Sequence, residues 1–116
     1  MEVNQIVPNL PAIDTHVSRE FYADFLGLEP AFDLGWIVRY RSPDNPTAQV
    51  SVVTRDQTAL EDSKISIGVS DVDEAYSEAR RRGYEIVHPL TQEPWGVRRF
   101  FVRDPNGVVV NIAAHT

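Results

Sequence analysis

Two segments of the chain repeat the same order of apolar and polar positions. The first runs from an apolar stretch at residues 6–13 into a helical pattern that stops at Gly27. The second runs from residues 65–69 into another helical pattern, which stops at Gly83. Segments with strand character follow each glycine. Because a repeated period decides the architecture of a chain, we read the two halves as copies of one strand–helix–three-strand module.

The helical pattern of the first copy covers residues 14–26. Val17, Phe21 and Phe25 recur at intervals of four, and Tyr22 and Leu26 lie beside them, which predicts an apolar helix face. Asp14 is a suitable N-cap, and Gly27 is suited to the left-handed position after the helix.

The second copy has a stronger helix start. Asp71 is followed three positions later by Glu74, an arrangement that resembles a capping box. The predicted apolar face of this helix consists of Val72, Ala75, Tyr76 and Ala79, and Gly83 ends the helix.

Alternation and turn residues predict the strands that follow each helix. The first copy has a hairpin over residues 36–53, with its turn at residues 42–46. In the second copy the predicted strands are Tyr84–His88, Val97–Arg103 and Val108–Ala114, with a tight turn at Asp104–Gly107.

These elements predict one α+β domain over residues 1–116, built from two βαβββ modules. Module one covers residues 1–54 and module two covers residues 64–116. The polar residues 55–63 form the predicted linker.

Composition excludes several classes of protein. The chain has no cysteine, which excludes a disulfide scaffold, a thiolate metal site and a cysteine nucleophile. A net charge of −6 argues against nucleic acid as a partner, because phosphate binding needs a basic surface. No segment has the length of a membrane span or the pattern of a secretory signal, so we expect a cytoplasmic protein without a membrane partner.

Three stretches of the sequence are similar to the vicinal oxygen chelate superfamily, which includes glyoxalase I, extradiol dioxygenases and bleomycin-binding resistance proteins. They are residues 21–28 (Phe-Tyr-Ala-Asp-Phe-Leu-Gly-Leu), residues 94–100 (Pro-Trp-Gly-Val-Arg-Arg-Phe) and residues 104–107 (Asp-Pro-Asn-Gly). The second stretch and the Leu-Pro pair at residues 10–11 resemble the bleomycin-resistance branch in particular. The resemblance implies eight strands in cupped mixed sheets and a homodimer that holds small-molecule ligands.

The resemblance also locates the metal ligands of metal-using relatives on this chain. Histidine is expected at the positions of Val7 and Lys64, and glutamate at the position of Asn111. None of these residues suits a catalytic divalent ion, which needs about three imidazole or carboxylate ligands. His16, His88 and His115 do not replace them by their positions in the sequence. We therefore predict no metal site and no cofactor.

A ligand site is predicted on the inner face of the strands. Alternation places Lys64 and Ser66 on the same inner surface as Asn111. The polar groups of Lys64 and Asn111 can orient a ligand there. Aromatic residues are candidate walls, with Trp95 foremost because it lies in a Pro-Trp-Gly loop. The predicted ligand-binding residues are Lys64, Asn111, Trp95, Trp36, Arg39 and Phe101.

Each of these residues also has a structural alternative. Trp95 can pack over the end of a sheet, and for Trp36 packing in the core or in a dimer contact is favoured. Lys64 and Asn111 can be satisfied structural groups. For Arg39, Arg98 and Arg99 the favoured interpretation is an arginine on a solvated strand face. No carboxylate falls on the predicted inner face, so no catalytic acid or base is identified.

The sequence thus predicts a metal-free small-molecule binding protein that resembles bleomycin-type resistance proteins and acts by sequestration. The negative charge suits a cationic, aromatic ligand. Three alternatives stay open: a metal-dependent lyase, isomerase or dioxygenase of the same superfamily, a metal-free enzyme that uses Lys64, and a protein-interaction module.

Overall fold

The computed structural model describes residues 1–116 and contains eight strands and two helical regions. The first module consists of β1 (Val3–Pro11), α1 (Thr15–Arg19), a π-helical segment (Glu20–Phe25), β2 (Glu29–Asp33), β3 (Ile37–Arg41) and β4 (Gln49–Val53). The second module consists of β5 (Ile65–Val69), α2 (Val72–Arg81), β6 (Ile86–Glu93), β7 (Val97–Arg103) and β8 (Val109–His115). The predicted α+β class and the repeated βαβββ order are confirmed.

Both modules have the same strand pairing. The first strand of each pairs in parallel with the last, β1 with β4 and β5 with β8. The remaining pairs within each module are antiparallel hairpins. Along the sheet the order is β2-β3-β4-β1-β5-β8-β7-β6, so β2 and β6 are the edge strands.

The chain forms two compact units, which we call the N-terminal unit (residues 7–58) and the C-terminal unit (residues 1–6 and 59–116). The first six residues therefore belong with the second module. Gly68 explains how β1 approaches β5 so closely, since a Cβ at this position would lie 2.8 Å from Asn4 Oδ1 and 2.9 Å from Gln5 Cβ. Only glycine fits there without a shift of the neighbouring strand.

In the C-terminal unit, α2 packs against one face of the sheet as its sequence pattern predicts. Val72, Ala75 and Ala79 are buried against Val69 and Phe100. Asp71 caps the helix by accepting a hydrogen bond from the Glu74 amide (3.0 Å), and Gly83 follows its end with a φ of 77°. Neither helical region of the protein has the length and apolar character needed to cross a bilayer.

The helical region of the N-terminal unit differs from the prediction of one regular helix. It begins as an α-helix capped by Asp14 and continues as a π-helix, in which the Leu26 amide donates to the Phe21 carbonyl. Five-residue spacing of hydrogen bonds rotates the second half of the helix relative to a regular one. The core contact is made by Tyr22, whose ring stacks on Tyr40 at 5.5 Å between centroids.

Of the predicted apolar face of this helix, Tyr22 packs into the unit, but the three residues spaced by four do not. Val17, Phe21 and Phe25 are all more than half exposed, and Ile13, which precedes the helix cap, is fully exposed. Val17, Phe21 and Phe25 form an apolar stripe on the helix surface, in which the rings of Phe21 and Phe25 lie 5.4 Å apart between centroids. The expectation that they cover the unit's core is wrong, because Tyr22 and Ala23 take that role.

The strand after α2 is longer than the sequence predicts. Instead of ending at His88, β6 continues through Pro89 to Glu93, with irregular pairing to β7 between His88 and Thr91. A proline is tolerated here because β6 is an edge strand and the irregularity takes up the missing backbone donor. The consequence is that His88 lies inside a strand and Glu93 becomes a strand residue.

Candidate functional site

One row of side chains crosses all four main strands of the C-terminal unit. The pairing register places Ser66 on β5 opposite Asn111 on β8, Asn111 opposite Phe101 on β7, and Phe101 opposite His88 on β6. Residues directly opposite one another point to the same face of a sheet. Because α2 packs on the face of Val69, Phe100 and Ile112, this row lies on the other face.

Asn111 is the polar centre of this row. Its side chain is 8% exposed, and its Nδ2 donates a hydrogen bond of 3.0 Å to Ser66 Oγ. Its Oδ1 is buried and accepts no hydrogen bond from the protein. A buried amide oxygen without a donor costs about 1–3 kcal/mol. Asn111 therefore presents an acceptor that a ligand N–H or O–H group can satisfy.

Next to this row lies a buried ionic network that the sequence analysis missed. Arg99 Nε donates to Glu93 Oε2 at 2.6 Å, and His88 Nε2 lies 3.2 Å from the same oxygen. Glu93 is 2% exposed and Arg99 4%. The expectation of a solvated Arg99 is wrong, and so is the expectation that no carboxylate reaches this face.

The network was missed because it depends on the full length of β6. With β6 continuing to Glu93, the short turn at Pro94–Gly96 returns the chain along β7 and brings Glu93 beside Arg99. One sequence signal was available. Glu93 and Val97 flank a turn that contains Gly96, a spacing that favours a tight hairpin with alternating side chains. Extending the alternation backwards from β7 places Glu93 on the face of Arg99 and Phe101.

Two predicted ligand-binding aromatics lie against the network. The Arg99 guanidinium carbon is 5.0 Å from the centroid of the Trp95 ring and 4.7 Å from that of Phe101. Phe101 is fully buried beneath Ala59 and Val109, so its ring is a wall of the protein interior. Trp95 is partly exposed in the turn between β6 and β7, where one side of its indole is held by Arg99.

Lys64 lies outside the row. It is exposed and precedes β5, where its backbone amide donates to the Val109 carbonyl at 2.9 Å. The residue paired with Asn111 is Ser66, two positions further along the chain. By alternation Lys64 is on the same face as Ser66, but it precedes the strand and is not one of the paired residues of the row.

The N-terminal unit contains a matching row. Asn9 on β1 lies opposite Ser51 on β4, and Ser51 lies opposite Arg39 on β3. Arg39 Nε donates to Ser51 Oγ at 3.3 Å, and partial burial lowers the pKa of the Arg39 guanidinium. Trp36 comes just before β3 and is half-buried, and its carbonyl accepts a hydrogen bond from the Thr54 amide. Arg39 and Trp36 are thus placed in this unit, while the other four predicted residues are in the C-terminal unit.

The donor set of these rows does not fit a divalent metal ion. The paired first and last strands of the two modules present Asn9, Ser51, Ser66 and Asn111, all neutral. Val7 is buried and offers no donor atom. The structure contains no group of three or more histidine, cysteine, aspartate or glutamate side chains placed to hold a metal. The nearest approach is His88 with Glu93, and Glu93 is already paired with Arg99.

The chain matches the family model of the Glyoxalase/Bleomycin resistance protein/Dioxygenase superfamily over residues 3–112. It is similar in structure to methylmalonyl-CoA epimerase from Mycobacterium tuberculosis, with a TM-score of 0.75 and 18% identity over 98% of this chain and 89% of that one. A superfamily member from Vibrio splendidus 12B01 has a TM-score of 0.69 and 20% identity over 95% and 97% of the two chains.

A structure described as an NAD-dependent benzaldehyde dehydrogenase from Legionella pneumophila has a TM-score of 0.74 and 16% identity over 96% of this chain and 99% of that one. No curated protein matches the chain. At these identities the solved structures establish a shared fold, while the choice of ligand and chemistry depends on the side chains described above.

Proposed function

Because the chain belongs to the glyoxalase/bleomycin resistance protein/dioxygenase superfamily, we propose that it is a small-molecule binding protein that works without a metal. Its action would be sequestration of the ligand, as in the bleomycin-resistance branch that its sequence resembles. The observation that carries this proposal is the buried Oδ1 of Asn111, an acceptor without a protein donor on a side chain whose Nδ2 is held by Ser66.

The chemistry of the row supports binding more than turnover. Asn111 and Ser66 offer hydrogen bonds but no group that exchanges a proton readily near neutral pH. The one carboxylate on this face, Glu93, is engaged by Arg99 and His88. A ligand would be held by a donor that meets Asn111 and by stacking on the partly exposed indole of Trp95.

The direct test is calorimetric titration of the purified protein with a panel of cationic, aromatic antibiotics that includes bleomycin-type glycopeptides, in buffer with EDTA. Saturable binding without release of product supports the proposal. Stoichiometric metal in untagged protein, together with a metal-dependent turnover of any panel member, would instead favour the metal-dependent enzyme.

Replacement of Asn111 tests the anchor itself. Asn111→Ala removes the acceptor, and we expect affinity for a panel ligand to fall about tenfold, since a lost hydrogen bond of about 1.4 kcal/mol has that effect. Asn106→Ala, in the exposed turn before β8, is the matched control and should bind like the parent protein. Equal affinities for the parent protein and both variants would show that Asn111 does not bind the ligand.

We further propose that the protein is a homodimer, as the family resemblance implies. The apolar stripe of Val17, Phe21 and Phe25 supports this, because an exposed row of large apolar side chains is typical of an interaction surface. Light scattering after size exclusion should give about twice the chain mass of 13.1 kDa. The variant Phe21→Glu/Phe25→Glu should elute as a monomer if the stripe is the contact, while Leu60→Glu, at another exposed apolar position, should not change the mass.

A further inference from the structure

A cavity of about 310 Å³ lies on the α2 side of the C-terminal unit, on the opposite face of the sheet from the Asn111 row. Its walls are almost entirely apolar. They are formed by Ala75 and Ala79 of α2, Phe100 and Val102 of β7, Ile112 of β8, Tyr84 and the N-terminal Met1. The small side chains of the two alanines leave the room that larger helix residues would fill.

The size of this cavity indicates the size of its occupant. An apolar cavity of about 150 Å³ is enough to hold benzene. A volume of about 310 Å³ therefore suits a ligand of roughly two fused rings. Because the walls expose almost no polar atoms, an aromatic or aliphatic hydrocarbon body fits between them.

Charged side chains lie at the mouth of the cavity. Glu78 and Arg82 lie at its rim, and Glu78 accepts hydrogen bonds from both Arg81 and Arg82, at 2.9 Å and 2.7 Å. These two guanidinium groups lower the pKa of Glu78 to about 2, so the carboxylate stays ionised at neutral pH. Arg81 adds a second guanidinium beside this pair without lining the cavity, and Arg82, which does line it, is more than half exposed.

We propose that this cavity is a second binding site, which takes an aromatic carboxylate of about two fused rings. The rings occupy the apolar cavity and the carboxylate lies at Arg82, where a guanidinium pairs well with a carboxylate group. The site is separate from the proposed sequestration site, since the two use opposite faces of the same sheet. The cluster of arginines at the end of α2 thereby gains a role beyond complementing the helix dipole.

The test uses 1-naphthoate as the probe, with binding to the whole chain measured by calorimetry and by the fluorescence of the probe. We expect saturable binding with one site per chain. Arg82→Gln should weaken it at least tenfold, and Arg80→Gln, on the same helix but outside the rim, should leave it unchanged. The cation 1-naphthylmethylammonium should bind at least tenfold more weakly than 1-naphthoate to the parent protein.

A second variant tests the cavity without touching the charge. Ala79→Leu places a larger side chain in the cavity and should abolish binding, provided circular dichroism shows the same fold as the parent. If Ala79→Leu does not fold, the comparison of Arg82→Gln with Arg80→Gln still decides. Binding that is lost in Trp95→Ala and kept in Arg82→Gln would place the probe on the other face and overturn the proposal. Absence of binding by 1-naphthoate at millimolar concentration would overturn it as well.

Discussion

Glu93→Ala should destabilise the protein by about 3–5 kcal/mol, because it removes a buried carboxylate that pairs with the buried Arg99 guanidinium. Small domains are stable by only about 5–15 kcal/mol in total, so a loss of this size is a large fraction of the whole. Urea unfolding at neutral pH, followed by tryptophan fluorescence, measures it directly.

Two further variants test whether the loss of stability comes from the buried position of the ion pair. Asp73→Ala breaks the ion pair of Asp73 with Arg98, which is much more exposed than the pair of Glu93 with Arg99, and it should cost far less than Glu93→Ala. In the double variant Glu93→Ala/Arg99→Met the buried charge is gone, and we expect much of the loss to be recovered. A cost below about 1 kcal/mol for Glu93→Ala alone would contradict the prediction, because Arg99 would then not depend on the Glu93 carboxylate.

The repeated module could be predicted from the sequence because its signals are local. Asp14 and Asp71 begin the two helical regions, and Gly27 and Gly83 follow them in the left-handed conformation. Helix caps and glycines of this kind depend on a few neighbouring residues. The order of elements follows once the two copies are recognised.

The errors arise where a local signal competes with the sheet. Pro89 predicts the end of a strand, but at an edge a strand continues through an irregular pairing. The network of His88, Glu93 and Arg99 then depends on the pairing of β6 with β7, which no short segment encodes. A hidden carboxylate of this kind becomes visible only when the hairpin register is known.

The first helical region shows the second type of error. The spacing of Val17, Phe21 and Phe25 predicts the side that packs inward, but the π-helical turns place Tyr22 and Ala23 there instead. Apolar periodicity identifies a face without saying whether the chain itself or another molecule covers it. The same periodicity correctly predicted the buried face of α2, where Val72, Ala75 and Ala79 meet Phe100.

The candidate site could be predicted in part. Asn111 lies on the inner face at the centre of the row, where the alternation of β8 and the family resemblance both placed a polar group. The residue that pairs with Asn111 could not be predicted from the sequence, since the pairing of parallel strands depends on long-range contacts. The family resemblance pointed to Lys64, whereas the register of β5 with β8 pairs Asn111 with Ser66.

The second large effect concerns two neighbouring phenylalanines of β7 that point to opposite faces. Phe100 packs with Tyr76 on the α2 side, at 5.0 Å between ring centroids, and Phe101 packs with Arg99 and His88 on the other. Phe100 is 1% exposed and Phe101 is completely buried. Each substitution by alanine should cost about 3–5 kcal/mol, the range for a buried aromatic side chain.

Similar losses of stability with different losses of binding are the expected result. Phe101→Leu keeps much of the side-chain volume. It should lower the affinity for a ligand bound at the Asn111 row, because Phe101 lies opposite Asn111 and its ring packs against Arg99, which also contacts Trp95. Phe100→Leu should leave the affinity for that ligand unchanged and alter the affinity for 1-naphthoate, because Phe100 lines the cavity below α2. Titration of both variants with both ligands measures the four affinities. If each variant impaired the two ligands equally, the faces of β7 would not be independent, and the assignment of two separate sites to this sheet would be wrong.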